Sequence, residues 1–473
     1  MTDNMTNPHG SILMDPEITK NHAAVSATSM QFLDYAMGKE NCLQRLHLLD
    51  NSLPLILRNY EYPLHSWPWF VSPSMKLELE ECVCSIPALI YKAIGLEFGN
   101  DARRIAEFYG MPELLAEFYL QIEPDVGELM QRTDAVLTDS GIKIVEINAG
   151  STIGGWQIQW MDHLYRGHPQ LQPFFNGLEC TSRNIPLGYM THIVRSAKPL
   201  LRPGLDELAV LLVVDDEFLA VEGPEAMQHI FEAALQSCGV AGSAYFTTDY
   251  SALEYLADGV YFKGRRLHAV VSAETERRTG ALPKALYRAH IAGQIFWPDN
   301  PFRFAIGDKR SLSVLYGRKG DAAFSRRERE LIEKYLPWSV TISPQQVAFE
   351  GERQDLRDLL VGQRERFVIK VATGFQGKNV YVGKHQSNEA WLAIVDRAMQ
   401  EGSWLAQEYC QSLPFYGQAG TSGYGVYDVV WGIFNFGHDY GGCWLRLMAR
   451  GEGDGVINSA MGAQETIVYE VAA

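Results

Sequence analysis

The rhythm of apolar and polar residues changes along this chain, and each change marks an element. Residues 1 to about 25 are polar without periodicity and read as a mobile arm. From Ser29 to about Leu120 apolar residues recur at helical spacing. Met75–Ile94 is the clearest run, and Met111-Pro112-Glu113 opens a further helix with Pro in its first turn. Ahead of both, His65-Ser66-Trp67-Pro68-Trp69-Phe70 reads as an aromatic plug under a loop. At Arg132 the period drops to two. Arg132–Thr138 alternates, Asp139-Ser140-Gly141 is turn chemistry, and Ile142–Asn148 alternates again, which predicts a β-hairpin.

The hairpin carries the chemistry. A three-residue loop ending in Gly sets Thr138 opposite Ile142, Asp134 opposite Glu146 and Arg132 opposite Asn148; a two-residue loop would move each partner by one. The four polar residues then share one face, while Ala135, Leu137, Val145 and Ile147 face a core. Facing carboxylates repel unless a cation lies between them. Asp, Glu and an Asn carbonyl are hard oxygen ligands of the kind Mg²⁺ takes beside phosphate oxygens, so Asp134, Glu146 and Asn148 are candidate metal ligands. A surface hairpin with scattered charges is the plainer reading of the same stretch.

After the hairpin, Ala149–Trp156 is Gly-rich and leads into the helical Gln157–Tyr165. Ser151 and Thr152, at a turn of backbone N–H groups before a helix, are candidates to hold a substrate carboxylate or phosphate; a tight turn alone would look the same. From about Leu205 to Gln294 strands and helices alternate. Leu208–Val214 is a continuous apolar strand ending in Asp215-Asp216-Glu217, a helix covers Pro224–Gln236, and further strands cover Ser243–Thr247 and Ala269–Ala273. Tyr261–His268 suggests a hairpin about Lys263-Gly264. This grammar predicts a small parallel sheet. Asn300-Pro301 marks a boundary. Helices follow from Asp308 to Tyr316 and over Arg326–Tyr335, and Val347–Arg364 reads as polar helix and loop. Two β runs, Arg366–Val371 and Lys378–Gly383, flank a connection containing Gly374 and Gly377. A strand lysine, Lys370, beside such a loop can grip phosphates, although the G-x-x-x-x-G-K-[ST] pattern is absent. A helix over Ser387–Glu401 precedes the strand Trp404–Tyr409, whose Gln407 and Glu408 could border an adenine. Tyr427–Phe436 and Cys443–Arg450 form a hairpin that puts Arg446 and Arg450 on one strand face.

Bulk properties narrow the classes. The 473 residues suffice for two or three domains. The charge, 41 − 57 = −16, argues against a general nucleic-acid binder. Seven cysteines (Cys42, Cys82, Cys84, Cys180, Cys238, Cys410, Cys443) are irregularly spaced with no C-x-x-C, as expected of reduced, mostly buried thiols in a cytoplasmic protein. No run approaches 18 apolar residues and no charged-then-apolar leader opens the chain, so neither a membrane partner nor export is expected.

At this point the chain resembles a known family. R-x-D, a twelve-residue step from Asp134 to Glu146, and then E-x-N look like the synthetase domain of glutathionylspermidine synthase. Glu146-Ile-Asn148-(x)₂-Ser151 is also similar to eukaryotic glutathione synthetase. Both belong to the ATP-grasp superfamily in a circularly permuted order, with the metal hairpin early and the nucleotide-gripping segments late. Asp308-Lys309, Val368-Ile-Lys370, Gln407-Glu408 and Arg446 follow here in that order. The resemblance implies an α/β (α+β mixed) ATP-grasp fold with an N-terminal helical region and a small parallel-sheet substrate domain. It implies ATP and two Mg²⁺ ions as cofactors. Asp134, Glu146 and Asn148 would hold metal, and Arg132 and Arg446 would be catalytic, facing the transferred phosphoryl group. Lys309, Lys370, Gly374, Gly377, Gln407 and Glu408 would bind ATP. Two departures stand out: Val371 replaces a Pro common after the lysine, and the Gly374–Gly377 loop lacks the usual Glu. An amidase domain has no counterpart, since the N-terminal region shows no Cys/His constellation.

The expected organisation is a helical region over 1–130, the metal hairpin and helix over 131–204, a substrate-side α/β unit over 205–298, a nucleotide-gripping lobe over 299–410, and strands returning to the core sheet over 411–473. The expected chemistry is ATP-dependent ligation of a small carboxylate, such as an amino acid or short peptide, to an amine through an acyl phosphate. Positioning and charge stabilisation carry such a reaction without a nucleophilic side chain. A nucleotide-binding regulator without ligase activity, or a phosphotransferase without an amine acceptor, fits the same residues.

Overall fold

The computed structural model describes residues 14–38, 53, 55–58, 60–122, 125–202, 204–205, 207–220, 223–273, 283–374, 377–419 and 423–472. Its largest sheet has eight strands. Their order is Trp69–Val71, Gln464–Val471, Asp439–Ala449, Tyr424–Phe436, Met130–Thr138 and Gly141–Ala149, with Phe415–Gln418 and Cys180–Thr181 as side branches. The predicted hairpins over 132–148 and 427–450 thus lie side by side: Gly432 pairs with Asp134 and Phe434 with Arg132. The second hairpin turns more tightly than its sequence suggests, at Gly437-His438.

The helix Pro73–Phe98 crosses one face of this sheet. Ser72 caps it by accepting from Met75 N–H, Pro73 sits in its first turn, and Gly99 ends it at φ 59°. Leu79, Val83, Ile86, Ile90 and Ala93 form its buried stripe, packed with Ala135, Leu137, Ile142, Ile144 and Ile147 of the hairpin. No single helix among the described residues is long and apolar enough to cross a membrane. The aromatic plug is itself a strand: Trp69–Val71 pairs in parallel with Val468–Glu470, and Trp67, Trp69 and Phe70 are buried.

A smaller antiparallel sheet, in the order Ser339–Thr341, Trp404–Glu408, Phe367–Val371 and Val380–Val382, faces the large one. The expected three-stranded parallel sheet is present, with Leu208–Val213 between Ala269–Ser272 and Gly242–Thr247. Leu208–Val213 is buried on both faces, which explains its unbroken apolar run. Lys263 and Gly264 both take positive φ in the hairpin turn expected there.

Several expectations need correction. Residues 16–25 are not a mobile arm but the helix Pro16–Val25, capped by Asp15; residues 1–13 lie outside the described set. Val347–Arg364 contains a hairpin, Gln346–Phe349 with Glu352–Asp355, before the helix Leu356–Gly362. Of the described cysteines, all free, Cys82 and Cys443 are buried and the other four are half-buried, fewer than "mostly buried" implied; Cys42 lies outside the described residues.

Candidate active site

The 130–149 hairpin reaches its expected pairing by an unexpected route. The turn uses two residues, so Thr138 pairs with Gly141 and Leu137 with Ile142, one step away from the three-residue-loop register. A β-bulge between Asp134 and Ala135, opposite Val145, then takes up the extra residue. Beyond it Asp134 pairs with Glu146 and Arg132 with Asn148. The bulge also corrects the expected core. Ile144 takes the buried position, and Val145 turns half-exposed toward the polar side.

That polar side floors a cavity of about 390 Å³ between the two facing sheets. Arg132, Asp134, Glu146, Asn148 and Arg446 line its lower wall, and Lys370, Gln407, Glu408 and Gly377 its upper one. Alternation explains the upper wall: Val368 and Lys370 point into the cavity, while Phe367 and Ile369 point into a separate core. Lys309, Gly374, Ser151 and Thr152 do not line the cavity. Lys309 stands behind Glu146, pairing with its carboxylate at 3.1 Å and donating to the Gly374 carbonyl at 2.9 Å. The Ser151 and Thr152 hydroxyls meet the Ser272 carbonyl at 2.6 and 2.9 Å. Phe375 and Gln376, inside the expected phosphate loop, lie outside the described residues.

Charge is tightly paired on the floor. Arg132 donates from Nε to Asp134 Oδ1 at 2.8 Å and from Nη2 to Oδ2 at 3.2 Å, and its Nη1 serves the carbonyls of Ile153 and Gly154. Arg446 Nη2 lies 2.8 Å from Asp134 Oδ2. Burial pushes the Asp134 carboxyl up, but the two guanidinium charges outweigh it and hold it below the usual range. Both guanidinium groups lie against the ring of Trp444, at 5.9 and 5.4 Å from its centroid. Trp444 fits because Gly155 and Gly432 leave no side chain where its indole lies. Arg132 is almost saturated, whereas Arg446 Nε is buried with no hydrogen-bond partner among the described residues. Arg446 is therefore the guanidinium with capacity for a new acceptor.

On the upper wall Lys370 donates to the Val145 carbonyl at 2.9 Å and to Gln407 Oε1 at 2.8 Å. The bulge supplies the first of these acceptors. Burial lowers the Lys370 ammonium to about 8, against the pull of Glu146. Gln407 spends its amide on Lys370 and on Ser339, and Glu408 pairs with Arg366 at 3.1 Å. Apolar residues, among them Val136, Val368, Val382, Val430 and Met448, also line the cavity.

Some neighbours escaped the sequence reading. Asp428, raised by burial despite its 3.2 Å pair with Arg450, also lines the cavity; an acid inside an otherwise apolar strand was the available signal. Glu465 lies across the strand pair from Arg446 and is buried. It accepts from the hydroxyls of Tyr60 and Ser459, and burial raises it to about 7. Nothing in Gln464–Val471 distinguishes that acid from an exposed one.

On the cavity floor stand the carboxylates of Asp134 and Glu146 and the amide of Asn148, and no group of three or more His, Cys, Asp or Glu able to hold a metal occurs among the described residues. Mg²⁺ needs only one or two protein carboxylates when phosphate and water supply its other oxygens, so the set suits that ion bound together with a polyphosphate.

The architecture is a mixed α/β fold of the glutathione synthetase-like kind, as the resemblance in sequence implied. One solved structure that matches is a glutathione synthetase-like effector, GSS30 from Globodera pallida, in its apo form. It superposes with a TM-score of 0.55 at 12% identity, covering 97% of this chain and 98% of that one. At that identity the likeness shows a shared fold. No protein-family model matches the chain, and no curated protein matches it either.

Proposed function

We propose that this chain is an ATP-grasp carboxylate–amine ligase, joining a small acid to an amine with release of ADP and phosphate. One observation carries the reading: a buried lysine and a buried, under-bonded arginine converge with Glu146 and Asn148 on one cavity between two facing sheets. Such a cavity suits a nucleotide polyphosphate, with the base against the apolar lining of Val136, Val368, Val382 and Val430 and the phosphates toward Lys370 and Arg446. Glu146, Asn148 and Asp134 would hold Mg²⁺, which when bound neutralises phosphate charge. Lys309 fixes Glu146 and ties it to Gly374, where the phosphate-covering loop begins. Arg446 orients the carboxylate against the transferred phosphoryl group, and the closed sheets keep water from the acyl phosphate until an amine attacks.

The test is ADP release with Mg·ATP and panels of amino acids, short peptides and amines. Release that requires both an acid and an amine supports the proposal. Folded protein that binds ATP but turns over nothing across the panel overturns it. That outcome favours a nucleotide-binding regulator, the reading that the acid-free Gly374–Gly377 loop supports. Phosphorylated acid formed without an amine would mark a phosphotransferase.

A further inference from the structure

The small parallel sheet is wired to the cavity through one buried carboxylate. Asp299 is fully buried and precedes the helix Pro301–Gly307. Its Oδ1 accepts from Ser151 N–H at 3.0 Å and lies 3.4 Å from Arg303 Nη1. Its Oδ2 accepts from Ser272 N–H at 3.0 Å and from the Ser151 hydroxyl. Ser272 ends a strand of the parallel sheet, and Ser151 leads the turn that follows the strand Gly141–Ala149. Gly150 makes the approach possible: its φ is 99°, and a side chain there would collide with Asp299 and Arg303. The turn is pinned again where Tyr189 donates to the Ser151 carbonyl at 3.1 Å. Two residues on, the carbonyls of Ile153 and Gly154 receive Arg132 Nη1, and Arg132 grips Asp134, which in turn pairs with Arg446.

We infer that Asp299 is a positioning residue: it fixes the 150–154 turn, and that turn sets the direction of the Arg132 guanidinium. The N–H groups of Ser151 and Ser272 reach the two oxygens of Asp299 from separate chain segments, and the Ser151 hydroxyl shares its one proton between Asp299 and the Ser272 carbonyl, so only a group accepting on both oxygens satisfies them. An amide cannot; its NH₂ would face one of the donors. The Ser151 and Thr152 hydroxyls act in this lock, and the C-terminal edge of the parallel sheet becomes part of the frame of the cavity. The consequence for catalysis rests on the ligase reading; the positioning itself does not. A buried ion pair that only stabilised the helix Pro301–Gly307 would lower stability without touching Arg132.

The experiment uses the full chain with ¹⁵N-labelled arginine, the Arg132 Nε–H resonance being assigned by its loss in Arg132→Lys. Asp299→Asn and the milder Ser151→Ala are compared with the native chain. The expected result is a shifted or broadened Arg132 signal in both, with faster amide exchange over 150–154 and most other arginine signals in place. An unchanged Arg132 signal in the variants overturns the inference, as does a uniform change of all arginine signals. Should Asp299→Asn not fold, Ser151→Ala decides by the same two criteria. If the chain is a ligase, kcat falls roughly ten- to a hundredfold in Asp299→Asn with the nucleotide KM little changed. Absence of any ligase activity would fell the functional proposal and leave the arginine signal to judge Asp299.

Discussion

Lys370 gives the sharpest quantitative prediction. Its ammonium is buried, with its pKa lowered from an ordinary 10.5 to about 8. The unfolded chain therefore binds the proton more tightly between pH 8 and 10.5, and this group makes stability rise with pH across that window. Below pH 8 the folded state carries a penalty of roughly 3 kcal/mol, at about 1.4 kcal/mol per unit. A phosphate set against Lys370 reverses the imbalance, because the anion favours the charged form. Nucleotide binding should then take up a proton, about half per site at pH 8 and close to one at pH 9, and affinity should fall roughly tenfold per pH unit above 8. Titration calorimetry with a non-hydrolysable ATP analogue, in two buffers of different ionisation enthalpy, measures the uptake directly. Lys370→Met removes the charge and also strands the Val145 carbonyl and Gln407 Oε1, at about 1–3 kcal/mol each. These terms roughly offset the relieved burial penalty, so the variant should fold near native stability and bind without proton uptake. Binding without uptake in the native chain, or uptake that survives in Lys370→Met, would refute the reasoning.

Glu146→Ala and Asn148→Ala should each lower turnover at least about a hundredfold while leaving the circular dichroism spectrum unchanged, a loss of the size expected for one preorganised charge-stabilising group. Glu465, raised to about 7 by burial, holds its proton in the folded state after the unfolded chain has lost it, so its contribution is complete below about pH 4.5 and disappears as pH rises through 7. Glu465→Gln should therefore match the native chain near pH 4.5 and exceed it by roughly 3 kcal/mol at pH 8 in denaturant titrations. Trp444→Ala should cost about 3–5 kcal/mol, since it empties a fully packed site and removes the ring against both guanidinium groups; a loss below 1 kcal/mol would contradict that packing.

What could be read from the sequence followed from period and sign. Helical stripes such as Met75–Ile94 and the apolar run Leu208–Val214 announced their elements because burial on one stripe, or on both faces, leaves a pattern within a single segment. Trp69–Val71 became a sheet edge because its partner, Val468–Glu470, lies almost four hundred residues away, and no local rhythm records such a pairing. Asp299 escaped notice for the same reason: its donors come from Ser151 and Ser272, and the acid looks ordinary between Pro298 and Asn300.

The hairpin shows how a cross-strand pairing can be reached by an incomplete argument. A three-residue loop and a two-residue loop followed by one bulged residue consume the same length of chain, so Asp134 meets Glu146 in either case. They differ at the bulge. Without it Val145 would be a core residue and Lys370 would lose a carbonyl; with it the backbone turns an acceptor toward the opposite sheet. The irregularity is thus the point where the two sheets are bolted together beneath the cavity. The bulged residue reverses the phase of alternation: Ile142 and Ile144 are buried on the turn side of it, Ile147 and Ala149 on the other. The cue in sequence was Ile144-Val145-Glu146-Ile147, where two apolar residues precede the acid and strict alternation would admit one.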